Sequence, residues 1–187
     1  MKKVKVNPST FVYPVPAAMV SCRNSNGEDN IITIAWIGTV CSDPPMLSIS
    51  VRPQRHSFDM IMETKEFVVN LTNERVVYET DFCGVRSGRN LNKFSELNLT
   101  KLEADKINAP LIKECPVNIE CKVRKVENLG SHYMFIAEVI NVHIDEELIE
   151  DDNINLMKAN LISYVKGNYC KTGKIMGTHG YSIKSNA

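Results

Sequence analysis

Two arginines and a histidine stand between a strand-like run and a helix-like run in Ser48-Ile-Ser-Val-Arg-Pro-Gln-Arg-His-Ser57. That placement suits an anion. A helix start presents unpaired backbone N–H donors at the positive end of its dipole. Arg52 and Arg55 add charge-assisted and potentially bidentate bonds, and Ser57 reads as the helix N-cap. Two solvated loop charges would give the same pattern, and spacing alone leaves both readings open.

Other chemistries have weaker signatures. Gly-x-Ser-x-Gly, a Walker-type glycine loop, His-Glu-x-x-His and Gly-x-Gly-x-x-Gly are all missing. The six cysteines (Cys22, Cys41, Cys83, Cys115, Cys121, Cys170) form no Cys-x-x-Cys pair, and His56, His132, His143 and His179 are far apart in sequence. No metal site is therefore expected. The thiols read as free and mostly buried, in a reducing, cytoplasmic setting. Cys115 and Cys121 stand at even spacing, which places both on one side of a strand, as a redox pair or as core packing.

The elements that must hold such a site are mostly strands. Residues 17–24, 31–40, 46–52 and 66–71 read as strands, and Asn26-Gly27 supplies a turn between the first two. Residues 116–145 read as a long hairpin turning at Asn128-Leu-Gly-Ser131. Short helices are expected over 57–64, 73–83 and 91–97, and the tail from 163 to 183 reads as loops with a short strand. Strands and helices do not alternate one for one, so an antiparallel barrel or other mainly β (α+β) fold is expected.

Composition bounds the partners. The chain has 187 residues, 43% hydrophobic and 24% charged, with 22 Lys+Arg balancing 22 Asp+Glu. That suits one globular domain over 1–187, with a core of about 12–183. Zero net charge excludes a broad nucleic-acid surface, though not a compact anion pocket. No apolar run reaches the ~18 residues of a membrane span, and Asn7-Pro-Ser-Thr10 interrupts any signal-like segment after Met1-Lys2-Lys3. The six acids between Asp145 and Asp152 read as a solvated face.

An ordered set of short motifs adds a family. Pro14-Val-Pro16, Asn30-Ile-Ile-Thr-Ile-Ala-Trp36, Pro44-Pro-Met-Leu-Ser-Ile-Ser-Val-Arg52 with His56-Ser57, and Glu66-Phe-Val-Val-Asn70 come first. Ser87-Gly88, Lys93-Phe94, Ala109-Pro110, Glu120-Cys121, Gly130-Ser-His132 and Phe135-Ile-Ala-Glu-Val139 follow. Together they resemble the flavin reductase-like, FMN-binding split-barrel family, flavoredoxin branch.

The resemblance implies a Greek-key split β-barrel with short peripheral helices, a homodimer, and FMN near the dimer interface. It implies Arg52, Ser57 and Lys93 of the Lys93-Phe94 motif at the phosphate. Thr33, Ile34, Ala35 and Trp36 would line the ring, with Ser50 and Val51 at the ribityl chain or the ring edge and Tyr169 covering the flavin. His132 would lie on the nicotinamide or substrate side. Ala137 replaces a glycine common in the family and is expected to narrow the space beside the ring. The implied function moves electrons from NAD(P)H through FMN to a flavin, a protein or a small acceptor. A flavoredoxin-type carrier with a redox protein partner and no turnover of its own is the alternative.

Overall fold

The structure is a computed structural model that describes residues 1–183. Seven antiparallel strands form its main sheet: β1 (Ala18–Arg23), β2 (Asp29–Ile34), β3 (Ile37–Ser42), β4 (Pro45–Val51), β5 (Glu66–Leu71), β6 (Val117–Asn128) and β7 (Tyr133–Ile144). Their order is β2-β1-β5-β6-β7-β4-β3. Hairpins β1–β2, β3–β4 and β6–β7 account for three of the pairings.

One connection dictates the shape. β2 and β3 are the two edges of this sheet, yet only Ala35 and Trp36 separate them in sequence. So short a link spans roughly 10 Å fully extended, so the sheet must curl until its edges meet. At the meeting point the Ser50 N–H of β4 donates to the Trp36 carbonyl at 2.9 Å. The result is a split barrel. The single strand expected over 31–40 is therefore two strands with a corner at Ala35-Trp36. Its β-branched residues suit both arms, and the break comes from closure.

The barrel interior follows from strand alternation. Leu47, Ile49 and Val51 point inward, while Ser48 and Ser50 take the other face. They pack with Val20, Ile34, Phe67, Phe135 and Ala137, all at most 5% exposed. Full burial of each large apolar side chain contributes about 1.5–3 kcal/mol. Helix α1 (His56–Thr64) joins this core through Met60 and Ile61, and Phe58 meets Tyr133 and Phe135 edge-on with centroids at 5.0 and 5.7 Å. Ala137 is thus core packing. It lines neither cavity described below, so it does not narrow a ring site.

A second apolar cluster lies on the outer side of β1 and β2. Met19 and Ile31 pack there against Val76, Cys83, Phe94, Ile112 and Cys115. Helices α2 (Val77–Val85) and α3 (Lys93–Glu96) bring Cys83 and Phe94. Cys115 belongs to this cluster and Cys121 to the barrel core, so the two thiols do not share a side. Cys115 precedes β6, where strand alternation does not apply.

The acids of 145–152 are all exposed, and Leu148 among them is buried as an anchor. In the tail, Ile162–Val165 and Asn168–Lys171 pair with each other, and the former also pairs with Val15–Pro16.

Candidate functional site

Two adjoining cavities open along β2 and the loop after β4. The larger, about 340 Å³, is lined by Thr33, Ile34, Ala35 and Trp36 at the barrel corner, by Ser50, Val51 and Arg52, and by His132. The smaller, about 140 Å³, is lined by Ser57, Lys93, His56 and the loop Arg86-Ser87-Gly88-Arg89. Ile32 and Arg55 line both, so the two form one groove. No aspartate or glutamate lines either cavity among the described residues.

At the smaller cavity two cations meet a helix end. Lys93 is 2% exposed, and its ammonium donates to the carbonyls of Ile31 at 2.6 Å and Cys83 at 2.8 Å. The Arg55 guanidinium donates to the neighbouring carbonyl of Gly84. The Cys83 and Gly84 carbonyls belong to the last turn of α2, where intrahelical donors run out, and the Ile31 carbonyl belongs to β2. Cations near such carbonyls also complement the helix dipole. Burial pulls the Lys93 pKa down to about 8, with Arg55 pulling the same way. Neither cation forms an ion pair with a carboxylate among the described residues, so a buried positive charge stands uncompensated.

The wall opposite is set by Asn30. Its side-chain amide donates to the Ser57 hydroxyl at 2.8 Å, which explains why Ser57 is not the N-cap. The cap is Arg55, in extended conformation and without a side-chain cap bond, and Ser57 lies buried in the first turn. Gly88 permits this wall to close, because a Cβ there would come within 2.0 Å of the Asn30 side-chain oxygen. Arg89 crosses the mouth, donating to the Gln54 carbonyl at 2.9 Å with Asp59 at 3.8 Å. Burial, then the Arg89 charge, lowers the His56 pKa and favours the neutral ring.

At the larger cavity the ordering differs. The Arg52 Nε donates to His132 Nε2 at 3.3 Å, while His132 Nδ1 meets the Ser131 hydroxyl at 2.9 Å. Because arginine only donates, Nε2 must accept, and the imidazole is the neutral Nδ1–H tautomer. Burial and then Arg52 lower its pKa, in agreement. The His132 ring lies 4.5 Å from that of Trp36, centroid to centroid. Thr33 has its hydroxyl committed to the Thr80 carbonyl of α2, so it offers the cavity its backbone and methyl group.

The groove therefore gathers ten of the sequence-expected residues and divides them. Arg52, expected beside Ser57 and Lys93, lines the ring-sized cavity instead. Phe94 lines neither cavity. It is 2% exposed in the outer cluster because the helix that aims Lys93 inward turns its neighbour to the core. Tyr169 lines neither cavity; its hydroxyl donates to Asp81 of α2 at 3.1 Å, so it pins the tail to that helix. Asn30, Arg86 and Arg89 carried no site expectation, while Arg55 was expected with Arg52 as an anion-binding cation and not among the residues that the family resemblance implies. The signal for three of them was the Ser87-Gly88 motif and the conformationally costly glycine within it.

A second polar centre lies away from the groove. Glu120 of β6 is fully buried and accepts from the backbone N–H of Asp105 at 3.0 Å and Lys106 at 2.8 Å. Asn141 and His143 of β7 complete it at 2.9 and 2.6 Å. Burial pushes this carboxyl up, but the four hydrogen bonds outweigh it and hold its pKa at about 2.

A curled sheet thus carries one groove with a cationic lobe and an aromatic lobe on a split barrel. The sequence pattern of the "Flavin reductase like domain" matches residues 10–173, and the chain belongs to that family. Solved structures agree. Flavoredoxin of Desulfovibrio vulgaris (Miyazaki F) is similar at TM-score 0.91 and 28% identity, over 98% of this chain and 100% of that one. Flavoredoxin from Methanosarcina acetivorans gives 0.90 and 27%, over 99% of each chain. The 2-nitrobenzoate 2-nitroreductase NbaA of Pseudomonas fluorescens gives 0.82 and 26%, over 89% of this chain and 85% of that one.

Proposed function

We propose that this chain binds FMN non-covalently and works as an oxidoreductase, moving electrons from NAD(P)H to a flavin, a protein or a small acceptor. One observation carries the reading: a carboxylate-free pair of cations, buried Lys93 and half-buried Arg55, continuous with a cavity walled by backbone and an aromatic ring. That donor set fits a phosphate monoester at one end and a planar ring at the other. FMN supplies reversible electron transfer when bound, and the protein supplies position and electrostatics. Lys93, Arg55 and Ser57 would hold the phosphate. The backbone from Ile34 to Trp36 and at Ser50-Val51 would orient the ring, and neutral His132 would face the donor or acceptor.

A flavoredoxin-type carrier is the second reading, favoured by the two flavoredoxin structures above. Exposed Trp36 and Leu129 support a homodimer in which a second copy covers the mouth. Visible absorption of the purified protein, identification of the released cofactor and sedimentation at micromolar concentration test these points. Yellow protein releasing FMN is expected. A chain that stays colourless after incubation with FMN overturns the reading. Rapid NAD(P)H oxidation under air selects the reductase, and its absence together with ready reduction by a protein donor selects the carrier.

A further inference from the structure

Arg52 is the unusual member of the groove. The only hydrogen bond of its side chain among the described residues is the one from Nε to His132. Both terminal guanidinium nitrogens lack a protein partner there, and the side chain lies on the wall of the larger cavity. His132 fixes the stem of this fork through Nε, and Ser131 fixes the His132 ring. Trp36, 43% exposed, lies against the His132 ring and offers an aromatic surface on the same cavity as Arg52. The phosphate end has its own cations, Lys93 and Arg55, so a second anion site at the ring end is chemically separate from it.

We infer that Arg52, oriented by His132 and flanked by Trp36, is the anion-recognising element of a substrate subsite that takes a small planar aromatic carboxylate. A guanidinium fork with both terminal nitrogens available matches the two oxygens of a carboxylate. An indole face beside it suits a flat ring attached to that group. No acidic side chain lines this cavity to repel the ligand. His132 is a positioning residue here, because it touches the ligand's partner and leaves the ligand to Arg52. The inference rests on the FMN reading above and deepens it by naming a substrate class.

Trp36 is the only tryptophan of the chain, so its fluorescence reports this subsite directly. Benzoate and its neutral analogue benzamide are titrated against FMN-free protein by Trp36 fluorescence, and against FMN-loaded protein by perturbation of the visible spectrum. Benzoate is expected to saturate and to bind at least tenfold tighter than benzamide. Arg52→Gln is expected to abolish that preference, Arg52→Lys to keep part of it, and both to leave FMN affinity within about twofold. His132→Ala is expected to weaken benzoate binding less than Arg52→Gln does.

Equal binding of benzoate and benzamide, or tighter binding of benzamide, overturns the inference, since a neutral carboxamide would then be the ligand class. A tenfold or greater loss of FMN affinity in Arg52→Gln also overturns it, by assigning the guanidinium to the cofactor. The functional reading fails separately: if the wild-type chain binds no FMN, the benzoate preference is still read from Trp36 in the FMN-free protein. Circular dichroism of Arg52→Lys and Arg52→Gln checks that both remain folded.

Discussion

Glu120 and Lys93 are both buried charges, and they are solved in opposite ways. The Glu120 carboxylate collects four donors from the neighbouring strand β7 and a loop, so its charge is answered inside the protein. The Lys93 ammonium collects two carbonyls and no counter-charge. A buried charge without a partner is costly, and the fold bears that cost only at the groove. The first arrangement ties β6 and β7 to the 105–106 loop. The second leaves an electrostatic demand that an incoming anion meets.

The sharpest way to break this contrast is to remove each charge. Glu120→Ala leaves four donors without an acceptor and is expected to destabilise the fold by about 3–5 kcal/mol, read by chemical denaturation. The same centre gives the wild type an acid limit. Its folded pKa is about 2 against 4.5, so its contribution is present above pH 4.5 and is lost as pH falls through that range to about 2. Lys93→Met should behave differently. It removes an uncompensated buried charge, so the empty protein is expected to keep its stability. FMN affinity should fall by about 10- to 100-fold, the ~1.5–3 kcal/mol of a hydrogen bond to a charged group. Large destabilisation of the empty Lys93→Met protein with unchanged FMN affinity would place Lys93 in the same class as Glu120.

The contrast was only half visible in the sequence. Alternation in Met46 to Arg52 and in Val117 to Arg124 revealed strands and their inward faces, because burial imposes a period of two. The corner at Ala35-Trp36 was hidden, because β-branched residues flank it on both sides and only the curl that brings the two sheet edges together breaks the strand. Lys93 was found through a motif, but its partner Arg55 was overshadowed by Arg52. Which of two arginines three positions apart meets which cavity depends on where α2 ends, a tertiary fact. Phe94 and Tyr169 were misplaced for the same reason: proximity in sequence to Lys93, or an aromatic ring in the tail, says nothing about the side of α3 or α2 it reaches. Of the Glu120 centre only the Glu120-Cys121 motif was visible and not its role, since Asp105, Glu120, Asn141 and His143 are scattered through the chain.

The pH dependence of binding sharpens the contrast further. The folded pKa of Lys93 is about 8 against an ordinary 10.5. Between those values the unfolded chain holds more protons, so this group makes the empty fold more stable as pH rises from about 8 toward 10.5. Binding runs the other way. A phosphate dianion favours the protonated ammonium, so FMN affinity is expected to decline as pH rises through about 8. Lys93→Met should flatten that part of the profile, and fluorescence titration from pH 6.5 to about 9.5 reads both curves.

The smallest expected effect tests how the wall of the phosphate lobe is held. Ser57 accepts from Asn30, and Asn30 fills the space that Gly88 leaves open. Ser57→Ala removes one hydroxyl and unpairs one amide donor, which corresponds to about 1 kcal/mol, or roughly fivefold in FMN affinity. Gly88→Ala instead forces the Asn30 side chain away from a 2.0 Å clash, so it should disturb the same wall from the other side. If the two act through one amide, the double variant should cost less than the sum of the singles. Strict additivity would mean that Ser57 serves the ligand directly and Gly88 serves only the loop.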